Sequence, residues 1–111
     1  GISVIKMNKK IDSGDIFSER KFYIKKKHDI NDLHKIANNN FPKMTLEAIN
    51  KIINKKKPKR VNKKGNIWKQ RSENDSLFDF KTKTFHQADR FIKALQKPYP
   101  NAFDFETRYA F

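Results

Sequence analysis

Short apolar clusters separated by long polar stretches run along the chain, and the period of each cluster predicts an element. "GISVIKM", Gly1 to Met7, is rich in β-branched residues and reads as a buried strand. "DSGD", Asp12 to Asp15, reads as a turn, with Gly14 tolerating positive φ and the Asp and Ser side chains bonding nearby amides. "IFSERKFYI" follows as a second strand. Asp29 is placed as the N-cap of a helix over "INDLHKIA", where Ile30, Leu33, Ile36 and Ala37 share a face. "NNNFP" is expected to interrupt or kink that helix. Pro42 then opens the next one, "KMTLEAINKII", whose Leu46, Ile49, Ile52 and Ile53 form an apolar stripe of the kind that faces a core.

Farther on, "NIWKQ" reads as a short strand. "TFHQADRFIKALQK" is the clearest helix: Thr84 and Gln87 have capping-box spacing, Phe85, Ala88, Ile92 and Leu95 lie on one face, and Pro98 stops it. "PYPNAF" reads as a rigid turn in which Pro98 and Pro100 hold Tyr99 in a defined direction. In "FDFETRYAF", Phe103, Phe105, Tyr109 and Phe111 fall on one side of any extended segment. Such an edge at one end, and a strand starting at Gly1 at the other, read as a piece cut from something longer.

With 111 residues the chain suits one modest core. No apolar run reaches the roughly 18 to 20 residues that a spanning helix needs, so no membrane partner is expected. The lack of cysteine removes disulfide and thiolate chemistry and fits a reducing, cytoplasmic setting. The formal net charge of +14 raises the question of nucleic acid. It is concentrated from Lys51 to Arg71, "KIINKKKPKRVNKKGNIWKQR", which has ten basic residues and no acidic one. That tract could follow a phosphate backbone, and "KKKPKR" also has the form of a nuclear import signal; the plainer and preferred reading is a solvated linker.

Searches for chemistry mostly fail. There is no Gly-rich phosphate loop, no metal-ligand spacing and no nucleophile elbow, and His28, His34 and His86 are isolated from one another. Asp12 and Asp15 remain. An acidic residue at a strand end before a Gly-containing turn can aim a carboxylate into a cleft, although an ordinary Asx-type turn explains the local pattern as well.

The order of segments adds weight to Asp12. Gly1, Met7, Ile11, Asp12, Ser13, Gly14, Asp15 and Ile16, then Arg71, Asp75, Phe78, Asp79 and Phe80, then Lys93, Ala94, Leu95, Pro98, Tyr99, Pro100, Asn101, Ala102 and Phe103 resemble, in order, the later half of the 10-formyltetrahydrofolate-dependent formyltransferases. That family includes methionyl-tRNA formyltransferase and the sugar-nucleotide N-formyltransferases. Ser13 stands for the family's Thr, Lys9 and Lys10 for its acidic-Gly pair, Lys93 for its Arg, and Asn101, the best substitute where positive φ is required, for its Gly. The family's upstream Asn-x-His has no counterpart in these 111 residues.

The resemblance implies an α/β fold: the C-terminal part of a Rossmann-like formyltransferase domain plus a small helix and β element. Residues 1–54 would be the last strands and helices of the catalytic domain, 55–66 a basic linker and 67–111 the C-terminal subregion. It implies formyl transfer from 10-formyltetrahydrofolate to a primary amine, with Asp12 catalytic, Lys10, Ile11 and Asp12 bordering the pterin pocket, and Tyr99 touching substrate. "RSENDSLFDF" resembles the sugar-type members and favours a nucleotide-linked amino sugar as acceptor; a methionyl-tRNA enzyme fragment is the alternative. The isolated chain is expected to be inactive without the missing N-terminal half of the catalytic domain. Two readings of other classes stay open: a noncatalytic basic nucleic-acid-binding module, and a homodimer formed through the aromatic "FDFETRYAF" edge.

Overall fold

A computed structural model describes residues 1–10, 12–61 and 65–104. They form a mixed α/β structure with two small sheets and two helices, divided into two units. The first unit comprises Gly1–Ile24 and Lys35–Asn66, the second Lys25–His34 and Ile67–Phe111. Among the described residues no helix is long and apolar enough to cross a membrane.

In the first unit, β1 (Ile2–Lys6) pairs antiparallel with β2 (Asp15–Arg20). The ladder runs from Ile2 opposite Arg20 to Val4 opposite Ser18, then resumes with Ile5 opposite Ile16. Phe17 is therefore an extra residue, a β-bulge, and a bulge breaks the in–out alternation of a strand. Phe17 and Ser18 are consequently both buried, although neighbours on a regular strand face opposite ways. The expected second strand stops at Arg20, and Lys21 to Ile24 lie outside it. On the outer side of β2, Ile16 and Lys59 exchange backbone hydrogen bonds of 3.0 and 2.9 Å. Part of the supposed linker is thus held on the sheet.

Helix α1 (Ile30–Ile53) docks on that bulge. Glu47 accepts from the Ser18 hydroxyl at 3.0 Å and from Arg20 Nη2 at 2.6 Å, and Lys51 Nζ donates to the Phe17 carbonyl at 2.7 Å. Met44 and Ala48 lie on the same side and are buried, Met44 with 1 % of its surface exposed. Positions 44, 47, 48 and 51 have the i, i+3, i+4, i+7 spacing of one helix face. The expected stripe of Leu46, Ile49, Ile52 and Ile53 is a correction: all four are exposed, Leu46 by 64 % and Ile53 by 70 %. Polar Glu47 and Lys51 mark the docking side because the bulge offers them a hydroxyl and a carbonyl.

The break expected at "NNNFP" is also corrected, since α1 runs on through Pro42. An interior proline removes one hydrogen bond at a cost of about 3 kcal/mol. Burial of Met44 and Ala48 opposes that cost. At the other end Lys55 takes φ 51, with Lys56 N–H reaching the Lys51 carbonyl and Lys55 N–H the Ile52 carbonyl. This is a Schellman cap with lysine in the place that glycine usually fills.

In the second unit Asp29 does cap α1. Its carboxylate accepts from Asp32 N–H at 2.9 Å, and Asp32 returns the contact to Asp29 N–H at 3.3 Å. A 3-10 turn over Glu73–Ser76 leads into β3 (Leu77–Phe78), which pairs parallel with β4 (Phe103–Asp104). Phe78 meets Phe80 edge-on at 4.9 Å and Phe91 at 5.0 Å, beside the buried Ala88, Leu95 and Ala102 of this unit. Helix α2 (Phe85–Ala94) carries the Thr84 and Gln87 capping box. Phe85, expected on its core face, is instead 89 % exposed, while Phe91 reaches Phe78. The short strand expected at "NIWKQ" is absent: residues 66–72 form no strand, and Trp68 is 83 % exposed. The aromatic series from Phe105 onward lies outside the described residues.

Candidate functional site

The β1–β2 connection is built around Asn8. Its side-chain oxygen accepts from Lys10 N–H at 2.8 Å and from the Ser13 hydroxyl at 2.7 Å, while its Nδ2 donates to the Ser13 carbonyl at 3.0 Å. The bond to the amide two residues on is an Asx turn. One short amide side chain therefore ties both ends of the loop together. Sequence reading passed over Asn8; the signal was an Asn placed directly after an apolar strand.

Inside this clamp Asp12 takes φ 52, the left-handed region that a non-glycine residue rarely adopts. Gly14 plays the complementary part. Its φ is not positive, and a Cβ there would run into the Lys6 carbonyl oxygen. The expected roles are thus exchanged: the glycine is needed for close approach of the two strands, and the aspartate carries the unusual dihedral. Left-handed backbone at a non-glycine costs about 1 kcal/mol or more, and such residues concentrate at functional sites. Asp12 itself is exposed at the loop surface.

The other expected site residues are dispersed. Lys10 shares the loop, with its N–H on Asn8 and its carbonyl 3.0 Å from the Ser13 hydroxyl, whose single proton is shared with the Asn8 side-chain oxygen. Ile11 lies outside the described residues. Asp15 begins β2 opposite Lys6. In the second unit, Tyr99 stacks on His34 with ring centroids 5.8 Å apart, and its hydroxyl lies 3.2 Å from His34 Nε2. Lys93, matched to an arginine only by the resemblance, donates to Asp89 at 2.8 Å and to the Lys26 carbonyl at 2.9 Å. Asn101 is not at positive φ, so the conformational reason for a glycine there does not hold.

An open cleft of about 620 Å³ is lined by Gly1–Ser3 and Glu19–Tyr23, at the hairpin end away from the Asp12 loop. None of the expected site residues that are described lines it. Among the described residues no group of His, Cys, Asp and Glu side chains could hold a metal ion.

Three carboxyls outside the loop are held below their ordinary range. The Ser18 hydroxyl, with Arg20, lowers Glu47; the Lys59 ammonium lowers Glu19 across 2.7 Å; Ser72 N–H and hydroxyl, with Lys69, lower Asp75. Several cations of the basic tract consequently have structural work. Lys51 bonds the Phe17 carbonyl, Lys59 bonds Glu19, Lys69 lies 3.3 Å from Asp75, and Arg71 bonds the Asp75 carbonyl.

Comparisons with family models, curated proteins and solved structures returned no match.

Proposed function

We propose that this chain is the later part of a formyltransferase catalytic domain that moves a formyl group from 10-formyltetrahydrofolate to a primary amine, in the cytoplasm. The observation that carries the reading is Asp12: a carboxylate held at positive φ in a loop clamped by Asn8 and closed by Gly14. It falls at the one position to which the family resemblance gives a catalytic role.

In this reading the acceptor nitrogen attacks the formyl carbon, the bond from that carbon to N10 of the folate breaks, and the amine proton passes to the departing nitrogen. The Asp12 carboxylate accepts a hydrogen bond from a histidine contributed by residues outside these 111, and takes up the proton in transit. An Asn-x-His from the same source stabilises the developing oxyanion. In this reading the Lys10 carbonyl accepts from a pterin N–H donor, Ile11 borders the same pocket, and Tyr99 contacts substrate. The sequence "RSENDSLFDF" favours a nucleotide-linked amino sugar over methionyl-tRNA as acceptor. A nucleic-acid-binding role has less support, because Lys51, Lys59, Lys69 and Arg71 are already bonded within the chain.

The test compares two proteins with 10-formyltetrahydrofolate and a panel of amino-sugar nucleotides. The 111-residue chain alone should give no turnover; the protein extended by the residues encoded before Gly1 should formylate at least one acceptor. Asp12→Asn in the extended protein should lower kcat by about 10² to 10⁴-fold. An inactive extended protein, or an Asp12→Asn variant as active as its parent, defeats the proposal.

A further inference from the structure

The face of α1 opposite the hairpin is apolar and open. Phe41, Leu46, Ile49, Ile52 and Ile53 are all exposed, and at 100° per residue they fall within about 140° of the helix circumference over three turns. Single exposed apolar residues are ordinary, but a continuous face of large ones marks a contact surface.

Charge identifies what would fit there. From Lys35 to Arg71 the sequence contains one carboxylate, Glu47, and it is turned to the hairpin and bonded to Ser18 and Arg20. Exposed lysines border the apolar face instead: Lys35 beyond its N-terminal end, Lys43 along the Leu46 side, and Lys55 to Lys57 past its C-terminal end. A second copy would bring these same cations against each other. A bilayer suits a helix with cations along both long flanks, whereas one flank here is the docked hairpin. A helix with an apolar stripe and carboxylates at its margin meets every condition: its stripe packs on Leu46, Ile49 and Ile53, and its acids face Lys43 and Lys35.

We propose that this face of α1 docks an amphipathic, glutamate-edged helix of another protein.

The cysteine-free sequence supplies a direct readout, because Leu46→Cys introduces the only thiol. Its modification by a maleimide is followed with three synthetic peptides: one with leucines at i, i+3, i+4 and i+7 edged by glutamate, one with the same stripe edged by lysine, and a scrambled peptide of the first composition. The glutamate-edged peptide should slow modification by about ten-fold or more, equivalent to occupancy above 90 %. Lys43→Glu, made in the Leu46→Cys chain and checked for unchanged helicity by circular dichroism, should transfer protection to the lysine-edged peptide. Four results overturn the proposal: equal protection by the scrambled peptide, protection by phosphatidylserine vesicles but not by peptide, a thiol unreactive without any probe, or a mass in sedimentation that doubles with concentration.

Discussion

Lys51 reaches across from α1 to place its ammonium 2.7 Å from the carbonyl of Phe17, the one residue bulged out of β2. A bulged residue is left out of the regular ladder, so its carbonyl needs another donor, and a lysine with a long flexible stem can supply one. Lys51→Met keeps the stem and removes the donor. It should destabilise the first unit by about 1–2 kcal/mol, read as a lower urea midpoint with an unchanged m value.

Glu47, one turn earlier, links the helix to Ser18 and Arg20, and its carboxyl is held below the ordinary 4.5. A group with a depressed folded pKa stabilises fully above its unfolded value, and that contribution is lost as pH falls through the folded value. Stability of the wild-type chain should therefore decline on acidification below about pH 4.5, whereas Glu47→Gln should show a shallower decline and lower stability at neutral pH. Parallel declines in the two chains would contradict this assignment. Urea melts at a series of pH values make the comparison.

Asp12 and Lys55 both hold positive φ, but for different reasons. Lys55 closes a Schellman cap, so Lys55→Gly should stabilise the chain by about 1 kcal/mol with no other consequence. Asp12→Gly should stabilise to a similar degree, and in the extended protein it should also abolish formyl transfer. Gly14→Ala should destabilise instead, by about 1–3 kcal/mol, because its Cβ meets the Lys6 carbonyl. Thermal melts of the three variants separate strain from crowding.

Met44 and Leu46 stand two residues apart on one helix and should respond very differently. Met44→Ala removes a buried side chain and should cost about 2–5 kcal/mol. Leu46→Ala changes an exposed one and should shift stability by less than about 0.5 kcal/mol. Denaturant unfolding of both variants tests which face of α1 is core.

Local chemistry was the legible part of the sequence. The Asp29 cap, the Thr84 and Gln87 box and the first strand depend on residues within four positions of one another, and they fold as their types dictate. The orientation of α1 was hidden, because apolar spacing alone favoured Leu46, Ile49 and Ile53. The buried side was decided by a bulge 27 to 34 residues away, through the contacts of Arg20 with Glu47 and of Phe17 with Lys51. The same holds for Lys59, whose place at the edge of β2 depends on a partner far away in the sequence, Ile16. At the candidate site Asp12 could be singled out, but the exchange of roles between Asp12 and Gly14 could not, since it arises from the approach of Gly14 to the Lys6 carbonyl.

The division into units has a practical result for anyone dissecting the gene. The polypeptide passes between the units three times, after Ile24, after His34 and after Asn66, and the second of these passages falls inside α1. No stop codon or protease cut at a single peptide bond therefore yields one unit free of residues of the other: a stop after Asn66 keeps the first unit whole only with Lys25–His34 attached. A recombination point anywhere within residues 25–66 would break both, so the pair is expected to be inherited as a block.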